Sequence, residues 1–131
     1  MSNTDFMEQN IKYIDGNKIL VRTVRGKADF EEIYGSWKEL IKEGYFNQPV
    51  IGIINDFCGV QLNVNTSDIK KIKVLLEDNP QIFKDIRIAV VVDSFKNIVF
   101  PMIIEKVSKQ ANVRPFSTFQ AAYDWINGTI E

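Results

Sequence analysis

The chain contains no histidine and only one cysteine, Cys58. Nucleophiles activated by histidine, such as Ser-His and Cys-His pairs, are therefore excluded, and so are zinc sites with histidine ligands. A single cysteine also excludes an internal disulfide. Any catalysis by this chain would have to rest on carboxylate, lysine or hydroxyl groups.

Long apolar runs and glycine-rich phosphate loops are also absent. No apolar stretch approaches the roughly 20 residues of a membrane helix, and residues 1–5 are too polar for a signal peptide, so we expect a cytoplasmic protein without a membrane span. Neither GxGxxG nor GxxxxGK[ST] occurs. The net charge of -1 argues against nucleic-acid binding, because that affinity comes mainly from cations that neutralise phosphates. We predict no cofactor and no nucleic-acid partner.

The order of sequence patterns predicts an α/β fold. The 131 residues suffice for one domain, 1–131, whose core needs no metal or disulfide. Asp15-Gly16-Asn17 suits a tight hairpin turn between strands at 11–14 and 18–24. Further strands at 50–54, 86–93 and 113–116 alternate with helical patterns at about 29–43, 65–79, 98–109 and 117–127. This alternation predicts a mixed, mostly parallel sheet of about five strands that starts with an antiparallel hairpin and is covered by four helices.

Capping residues mark three of the predicted helix starts. Asp29 with Glu32, and Ser117 with Gln120, have the spacing of a capping box. Asn65-Thr66-Ser67-Asp68 is a dense cluster of residue types that favour the N-cap position. We therefore expect helices to begin at these three places.

The most apolar strand pattern runs from Ile86 to Asp93 and predicts a central strand that is buried on both faces. Asp93 to Asn97 then forms a loop between this strand and a helix. In open α/β sheets, ligands usually bind at the carboxyl ends of the strands. We expect the function of the chain to reside at this edge of the sheet.

Two carboxylates, Asp56 and Asp93, end neighbouring strands in this prediction. Adjacent parallel strands lie about 4.8 Å apart, so the pair could hold Mg²⁺ or share a proton. The alternative, which we favour, is that each carboxylate caps a loop or the helix that follows it. Cys58 lies between them in the chain and has no adjacent cation to lower its pKa, so we expect an unreactive thiol.

The segment from Phe95 to Ile104 carries more apolar residues than one core-facing helix stripe requires. Phe95, Phe100, Met102 and Ile104 form its excess. Three explanations remain open: plain core packing, a homodimer contact, or a groove for a small apolar or lipid-like ligand.

Several features together resemble the small bacterial SpoIIAA-like proteins, which have the STAS fold and are related in shape to CRAL-TRIO domains. The resemblance covers nearly the whole chain and rests on hydrophobic pattern plus a few residues. Those features are the initial strand pair, the aromatic helix with Trp37, the strand end Ile54-Asn55-Asp56, the helix start at Asn65 to Asp68, the run from Arg87 to Asp93, and the closing segment with Phe116-Ser117-Thr118 and Ala121 to Ile126.

This resemblance implies a STAS-like fold and a non-enzymatic regulatory function. STAS anti-sigma-factor antagonists are switched by phosphorylation of a serine in an Asp-Ser-Ser-Gly motif at a helix start. The matching place here is Thr66-Ser67-Asp68, which lacks the first Asp and the Gly of the motif. Thr66 and Ser67 are thus the implied phosphorylation sites, and helix capping is the alternative role of their hydroxyls.

The leading hypothesis is a STAS-like module that binds a protein partner or a small ligand without turnover. A carrier of an apolar ligand is the first alternative, and an enzyme that uses Asp56 and Asp93 is the second. We predict no catalytic residue set and no metal site. The polar residues expected at the ligand or partner surface are Asn55, Asp56, Thr66, Ser67, Asp93, Ser94, Lys96 and Asn97.

Overall fold

The computed structural model describes residues 7–63, 65–94, 97, 102, 105–106 and 112–129, with the backbone alone at positions 63 and 66. The strands in chain order are β1 (Glu8–Ile14), β2 (Ile19–Arg25), β3 (Lys27–Asp29), β4 (Gly52–Asp56), β5 (Gln61–Asn63), β6 (Arg87–Val91) and β7 (Asn112–Phe116). The α helices are α1 (Phe30–Lys42), α2 (Thr66–Glu77), α3 (Pro80–Phe83) and α4 (Phe119–Ile126), and Tyr45–Asn47 form a 3₁₀ turn.

Five strands form one mixed sheet in the order β1-β2-β4-β6-β7. β1 and β2 are antiparallel, and every other neighbouring pair is parallel. The predicted fold class is thus confirmed, including the initial hairpin, in which Asp15, Gly16 and Asn17 all have positive φ. Glycine, aspartate and asparagine tolerate that conformation better than other residues.

The middle strand of the sheet is β4, although the sequence pattern favoured the strand at 86–93. β6 lies one place further along, between β4 and β7. The prediction that this strand is buried on both faces is confirmed, because Ile88, Ala89 and Val91 are all at most 3% exposed. A buried apolar run shows that a strand is interior, but it does not show which interior strand is central.

Two short strands, β3 and β5, were not predicted. They pair in parallel, with Ala28 opposite Leu62, and form a separate two-stranded sheet. Three residues are too few to display an alternating pattern, and the sequence there suggested only a helix cap and a loop. This small sheet ties the segment before α1 to the segment that follows β4.

The helix starts follow the capping predictions at α1 and α2 and differ by one residue at α4. Complete capping boxes form at Asp29 and at Asn65. At α4 the cap is Thr118 and not Ser117, because the Thr118 hydroxyl accepts a hydrogen bond from the Ala121 N–H at 3.1 Å. The prediction of Ser117 was therefore wrong by one position.

The proline that ends α2 also begins a helix that was not predicted. Pro80 occupies the first turn of the short α3, where its missing N–H costs least. The helix predicted over 98–109 lies mostly outside the described residues, of which Asn97, Met102, Glu105 and Lys106 are helical. Among the described residues, no helix combines the length and the apolar composition needed to cross a membrane.

The two faces of the sheet carry two separate cores. Alternation along each strand sends successive side chains to opposite faces, so both sides can be covered by helices. The face under α1 and α2 includes Leu20, Val24, Ile33, Trp37, Ile53, Ile72, Leu75 and Ile88. The face under α4 includes Ile19, Val21, Ile54, Ala89, Val91, Ala122, Trp125 and Ile126.

Gly52 permits the close packing of α4 on the sheet. A Cβ atom at this position would lie 2.5 Å from Cγ2 of Ile126 and 3.0 Å from the backbone oxygen of Arg87. Both distances are shorter than ordinary van der Waals contact. Glycine is therefore required here for steric reasons, with no positive φ involved.

Candidate functional site

The loop at residues 57–60 leaves the carboxyl end of β4, next to the carboxyl end of β6. The register pairs Asp56 with Val91, so both strands end at the same level. The loop backbone is joined to the sheet, since the Phe57 N–H donates to the Val91 oxygen at 2.8 Å. The predicted site residues Asp56, Asp93, Ser94 and Asn97 all lie around this loop, which we call the 57–60 loop.

Asp56 holds the start of the 57–60 loop with one carboxylate oxygen and pairs with Arg25 through the other. Oδ1 accepts a hydrogen bond from the Cys58 N–H at 3.1 Å, and Oδ2 lies 3.3 Å from Nη2 of Arg25. Nη1 of Arg25 also donates to the backbone oxygen of Asp56 at 3.2 Å. The side chains of Arg25 and Asp56 are 44% and 19% exposed, so solvent screens this ion pair and its contribution to stability is small.

Asp93, Ser94 and Asn97 hold the end of the same loop. Oδ2 of Asp93 accepts from the Gly59 N–H at 2.8 Å, and the Asn97 side-chain amide donates to the Val60 oxygen at 2.7 Å. The hydroxyl of Ser94 accepts from the Asn97 N–H at 3.2 Å. Polar side chains after β4 and after β6 therefore fix the loop from both sides.

This arrangement favours the capping interpretation of Asp56 and Asp93. Each carboxylate already accepts a hydrogen bond from a loop N–H, which satisfies backbone donors that have no partner in a strand or helix. In the part of the chain that the structure describes, no group of three histidine, cysteine, aspartate or glutamate side chains could hold a metal ion. The geometry thus gives no support to the carboxylate enzyme.

Cys58 has a half-buried thiol between these two carboxylates. Burial is the main reason that its pKa rises to about 11, and the hydrogen bond and negative charge of Asp56 and the charge of Asp93 add to the rise. The charge of Arg25 acts in the opposite direction. The thiol is protonated at neutral pH and is a poor nucleophile, in agreement with the sequence prediction.

Asn55 is buried, so its assignment to the exposed surface must be corrected. The residue is 1% exposed, and its amide donates to the Ala89 oxygen at 3.1 Å. Strand alternation turns Asn55 toward α1, away from the direction of Asp56. Asn97 is also buried, at 4% exposure, and contacts the loop through its hydrogen bond to the Val60 oxygen.

A buried arginine next to Asn55 was missed by the sequence analysis. Arg22 is 0% exposed, and its Nη1 donates to Oδ1 of Asn55 at 3.3 Å. Its Nε donates to Oε1 of Gln9 at 2.7 Å, and its Nη2 donates to the hydroxyl of Ser36. Burial lowers the pKa of Arg22 to about 9. The available signal was a single arginine inside residues 19–24, which are apolar apart from Thr23.

The aromatic rings of Trp37 and Phe57 lie beside the Arg22 guanidinium. The Cζ atom of Arg22 lies 5.3 Å from the ring centre of Trp37 and 5.4 Å from that of Phe57. Both distances are within the range of cation–π attraction. The buried cation is therefore enclosed by aromatic faces and neutral hydrogen-bond acceptors.

The start of α2 is a complete capping box formed by Asn65 and Asp68. Oδ1 of Asn65 accepts from the N–H groups of Ser67 and Asp68 at 3.0 and 3.2 Å, and also from the Ser67 hydroxyl. Oδ2 of Asp68 accepts from the Asn65 N–H at 3.0 Å. Ser67 is exposed, and the backbone of Thr66 is the first residue of α2. The cap of α2 is therefore Asn65 and not Ser67, whose exposed hydroxyl only donates to the Asn65 side chain.

The predicted apolar groove falls mostly outside the described residues, which exclude Phe95, Phe100 and Ile104 as well as the polar Lys96. Met102 is described and is 40% exposed. A cavity of about 40 Å³ lies between the sheet and α1 and α2, against Trp37. A cavity of this size holds a water molecule or a small group, whereas pockets for drug-sized ligands measure roughly 300–1,000 Å³.

Comparison with known proteins supports the fold. No protein-family model matches the chain, and no curated protein matches it. An uncharacterized protein of the DUF3478 family with a SpoIIAA-like fold, from Shewanella loihica PV-4, is 16% identical with a TM-score of 0.63, over 96% of this chain and 98% of that one. An anti-sigma factor antagonist from Mycobacterium paratuberculosis is 14% identical with a TM-score of 0.61, over 97% of this chain and 99% of that one.

These similarities define the class of the fold. The chain has a SpoIIAA-like fold, the STAS fold, as its hairpin and parallel strands already indicated. The identities are low, so the two structures establish the arrangement of the chain and leave its partner to be argued from its own surface.

Proposed function

We propose that this chain is a non-enzymatic, one-domain STAS-like module that acts in the cytoplasm by binding a protein partner. The binding surface would consist of the exposed part of the 57–60 loop together with Asp56, Asp93 and Ser94. The observation that carries the proposal is the fixation of this loop by Asp56 and Asp93, which each accept a loop N–H. A structural neighbour is an anti-sigma factor antagonist, which is consistent with a regulatory role.

A fixed loop suits binding better than it suits chemistry. A loop that is already ordered loses little conformational entropy when a partner binds, so more of the contact energy appears as affinity. The loop presents no nucleophile, since the pKa of the Cys58 thiol is raised to about 11. Binding without turnover is the function that these two properties support.

The charge of the surface indicates the chemistry of the partner. Arg25 neutralises Asp56, whereas Asp93 is exposed and forms no ion pair with another described residue. An exposed carboxylate favours a basic group on the partner, because complementary charge accelerates association and improves specificity. We therefore propose a protein partner that places a lysine or arginine against Asp93.

Phosphorylation of Ser67, or of Thr66, is the proposed regulation of the module. A phosphate would stand at the N-terminal end of α2, where the helix dipole stabilises negative charge. On Ser67 it would displace the hydrogen bond to Asn65 and would lie beside Asp68. The expected result is a local change at the start of α2 and a change in partner affinity.

Affinity capture with matched charge-reversal variants tests this function. Tagged wild-type chain, Asp93→Lys and Glu39→Lys are each purified from the native cells. We expect a protein that co-purifies with the wild type and with Glu39→Lys, which alters an exposed position on α1, but not with Asp93→Lys. The captured protein, once purified, should bind the wild type stoichiometrically.

Three results would contradict the proposal. Equal capture by both variants would place the surface elsewhere. If the wild type turned over a substrate and Asp56→Asn abolished that activity, the chain would be an enzyme that uses Asp56. A lipid-sized mass that accompanies the chain in native mass spectrometry would favour the hypothesis that the chain carries a small apolar ligand. The same spectra, recorded on the chain from its native cells, show whether one phosphate is attached.

A further inference from the structure

Arg22 is a fully buried cation whose partners are all neutral. Gln9, Asn55 and Ser36 accept its hydrogen bonds, and no carboxylate pairs with it among the residues that the structure describes. Burial of a charge is costly, and apolar residues often replace buried ionic groups without loss of stability. Stability alone therefore gives a poor account of an arginine at this position.

Two contacts of Arg22 lie at the strand end from which the 57–60 loop leaves. Its Nη1 holds Asn55, and its guanidinium packs against the ring of Phe57. These two residues lie on either side of Asp56 in the chain. Fixing both of them fixes the backbone of Asp56, and hence the direction of a carboxylate that accepts from Cys58 and pairs with Arg25.

We propose that Arg22 is a positioning residue for the surface formed by Asp56 and the 57–60 loop. It touches no partner, because it is 0% exposed, and it acts through Asn55 and Phe57. The proposal that this loop serves partner binding rests on the function proposed above. The positioning itself is a property of the free chain and is measurable without a partner.

The geometry requires a guanidinium and not simply a positive charge. A planar guanidinium donates in several directions in its plane while its faces pack on aromatic rings. Arg22 uses both capacities, with acceptors on β1, β4 and α1 and two aromatic rings within 5.4 Å of its guanidinium carbon. A lysine retains the charge but cannot reach three acceptors in one plane. Arg22→Lys therefore separates positioning from charge.

The lone thiol of Cys58 reports on the loop directly. It lies inside the loop, is half-buried and has its backbone N–H bound to Asp56. A loosened loop exposes the thiol, so its rate of reaction with an aromatic disulfide reagent measures local opening. The matched control is Leu20→Val, a conservative change at a buried residue on the same strand and the same face as Arg22.

The test compares thiol reaction rates at pH 8 in wild type, Arg22→Lys and Leu20→Val, each corrected for its own global unfolding. We expect Arg22→Lys to react at least about tenfold faster than wild type through local opening, and Leu20→Val to stay within about twofold. Gln9→Ala removes the exposed acceptor of Nε, which also accepts from the Ser36 hydroxyl at 2.8 Å, and should give an intermediate rate. If Arg22→Lys does not fold, Gln9→Ala carries the test alone.

Equal corrected rates in wild type and in the Arg22 or Gln9 variants would overturn the positioning role. The partner experiment remains separate, since it relies on Asp93→Lys with an intact Arg22. A failed capture would thus overturn the proposed function and leave the positioning role in place, whereas an unchanged thiol rate would do the reverse.

Discussion

Arg22 and Arg87 form the same contact on opposite sides of the sheet. Each places its guanidinium carbon 5.3 Å from the ring centre of a tryptophan, Trp37 for Arg22 and Trp125 for Arg87. Arg22 is fully buried, whereas Arg87 is half-buried. The environments differ so much that the two arginines serve different purposes.

Arg87 has a sufficient structural explanation. Its Nη1 donates to the Trp125 oxygen in the last turn of α4, where this oxygen also accepts from the Gly128 N–H at 3.1 Å and the helix dipole favours a cation. Arg22 lies far from any helix end of this kind and instead connects β1, α1 and the exit of β4. Arg87 thus stabilises the packing of α4 on the sheet, whereas Arg22 holds the residues on either side of Asp56.

Truncation of the two arginines should give the largest contrast. Arg22→Ala leaves a cavity beside two aromatic rings and a buried Asn55 oxygen without its donor, and we expect the free energy of unfolding to fall by about 3 kcal/mol. Arg87→Ala removes one partly exposed hydrogen bond and should cost about 1 kcal/mol. Urea unfolding of both variants measures the difference. Equal losses would remove the distinction between the two sides.

Crowding at Gly52 should disturb the α4 side alone. Gly52→Ala places a methyl group 2.5 Å from Ile126, and overpacking of this kind costs roughly 2 kcal/mol. Gly35→Ala is the control, since a Cβ there meets nothing within 4 Å, and a helical alanine should stabilise by about 0.5–1 kcal/mol. Thermal unfolding measures both variants, and we expect Gly52→Ala to be less stable and Gly35→Ala more stable than the wild type.

The same Gly52→Ala variant sharpens the comparison if the Cys58 thiol is also measured. Cys58 also packs against the core under α4, but it follows the carboxyl end of β4, whereas Gly52 is the first residue of that strand. After correction for global unfolding, we therefore expect the thiol to react at the rate of the wild type. A faster reaction would show that crowding at one end of the core under α4 is transmitted to the 57–60 loop at its other end.

Removing the N-cap residues of α2 and α4 should have the smallest effect on stability, and the effect should be larger at α2. Asn65 accepts from two backbone N–H groups, whereas Thr118 accepts from one. We expect Asn65→Ala to lower the free energy of unfolding by about 1 kcal/mol and Thr118→Ala by about 0.5 kcal/mol. Denaturant titration measures the free energy of unfolding of both variants. A larger loss for Thr118→Ala than for Asn65→Ala would contradict the geometry of the caps.

Local sequence patterns predicted the fold well where an element depends only on residues that are close in the chain. The Asp15-Gly16-Asn17 turn and the Asp29 capping box depend on residues adjacent in the chain, and both are present. The short pair β3 and β5 depends on contacts between distant segments, and three residues carry no periodic signal. The cap of α4 was misplaced because Ser117 and Thr118 are both good capping residues.

The sequence predicted which carboxylates lie together at the candidate site, but not which polar residues are buried beneath it. Asp56 and Asp93 meet at the 57–60 loop because the carboxyl ends of adjacent parallel strands coincide. The sequence does not reveal that Asn55 turns inward to Arg22, because this depends on which face of β4 lies under α1. Whether this surface binds a partner stays a prediction.

The most direct test of the account is the affinity of the captured partner for Asp93→Asn. Asparagine keeps an oxygen that can accept the Gly59 N–H and removes only the charge. We expect the dissociation constant, measured by calorimetry at physiological salt, to rise by about tenfold or more, while Glu39→Gln leaves it unchanged. An unchanged affinity for Asp93→Asn, with the loop intact, would contradict the proposal that this edge of the sheet binds the partner.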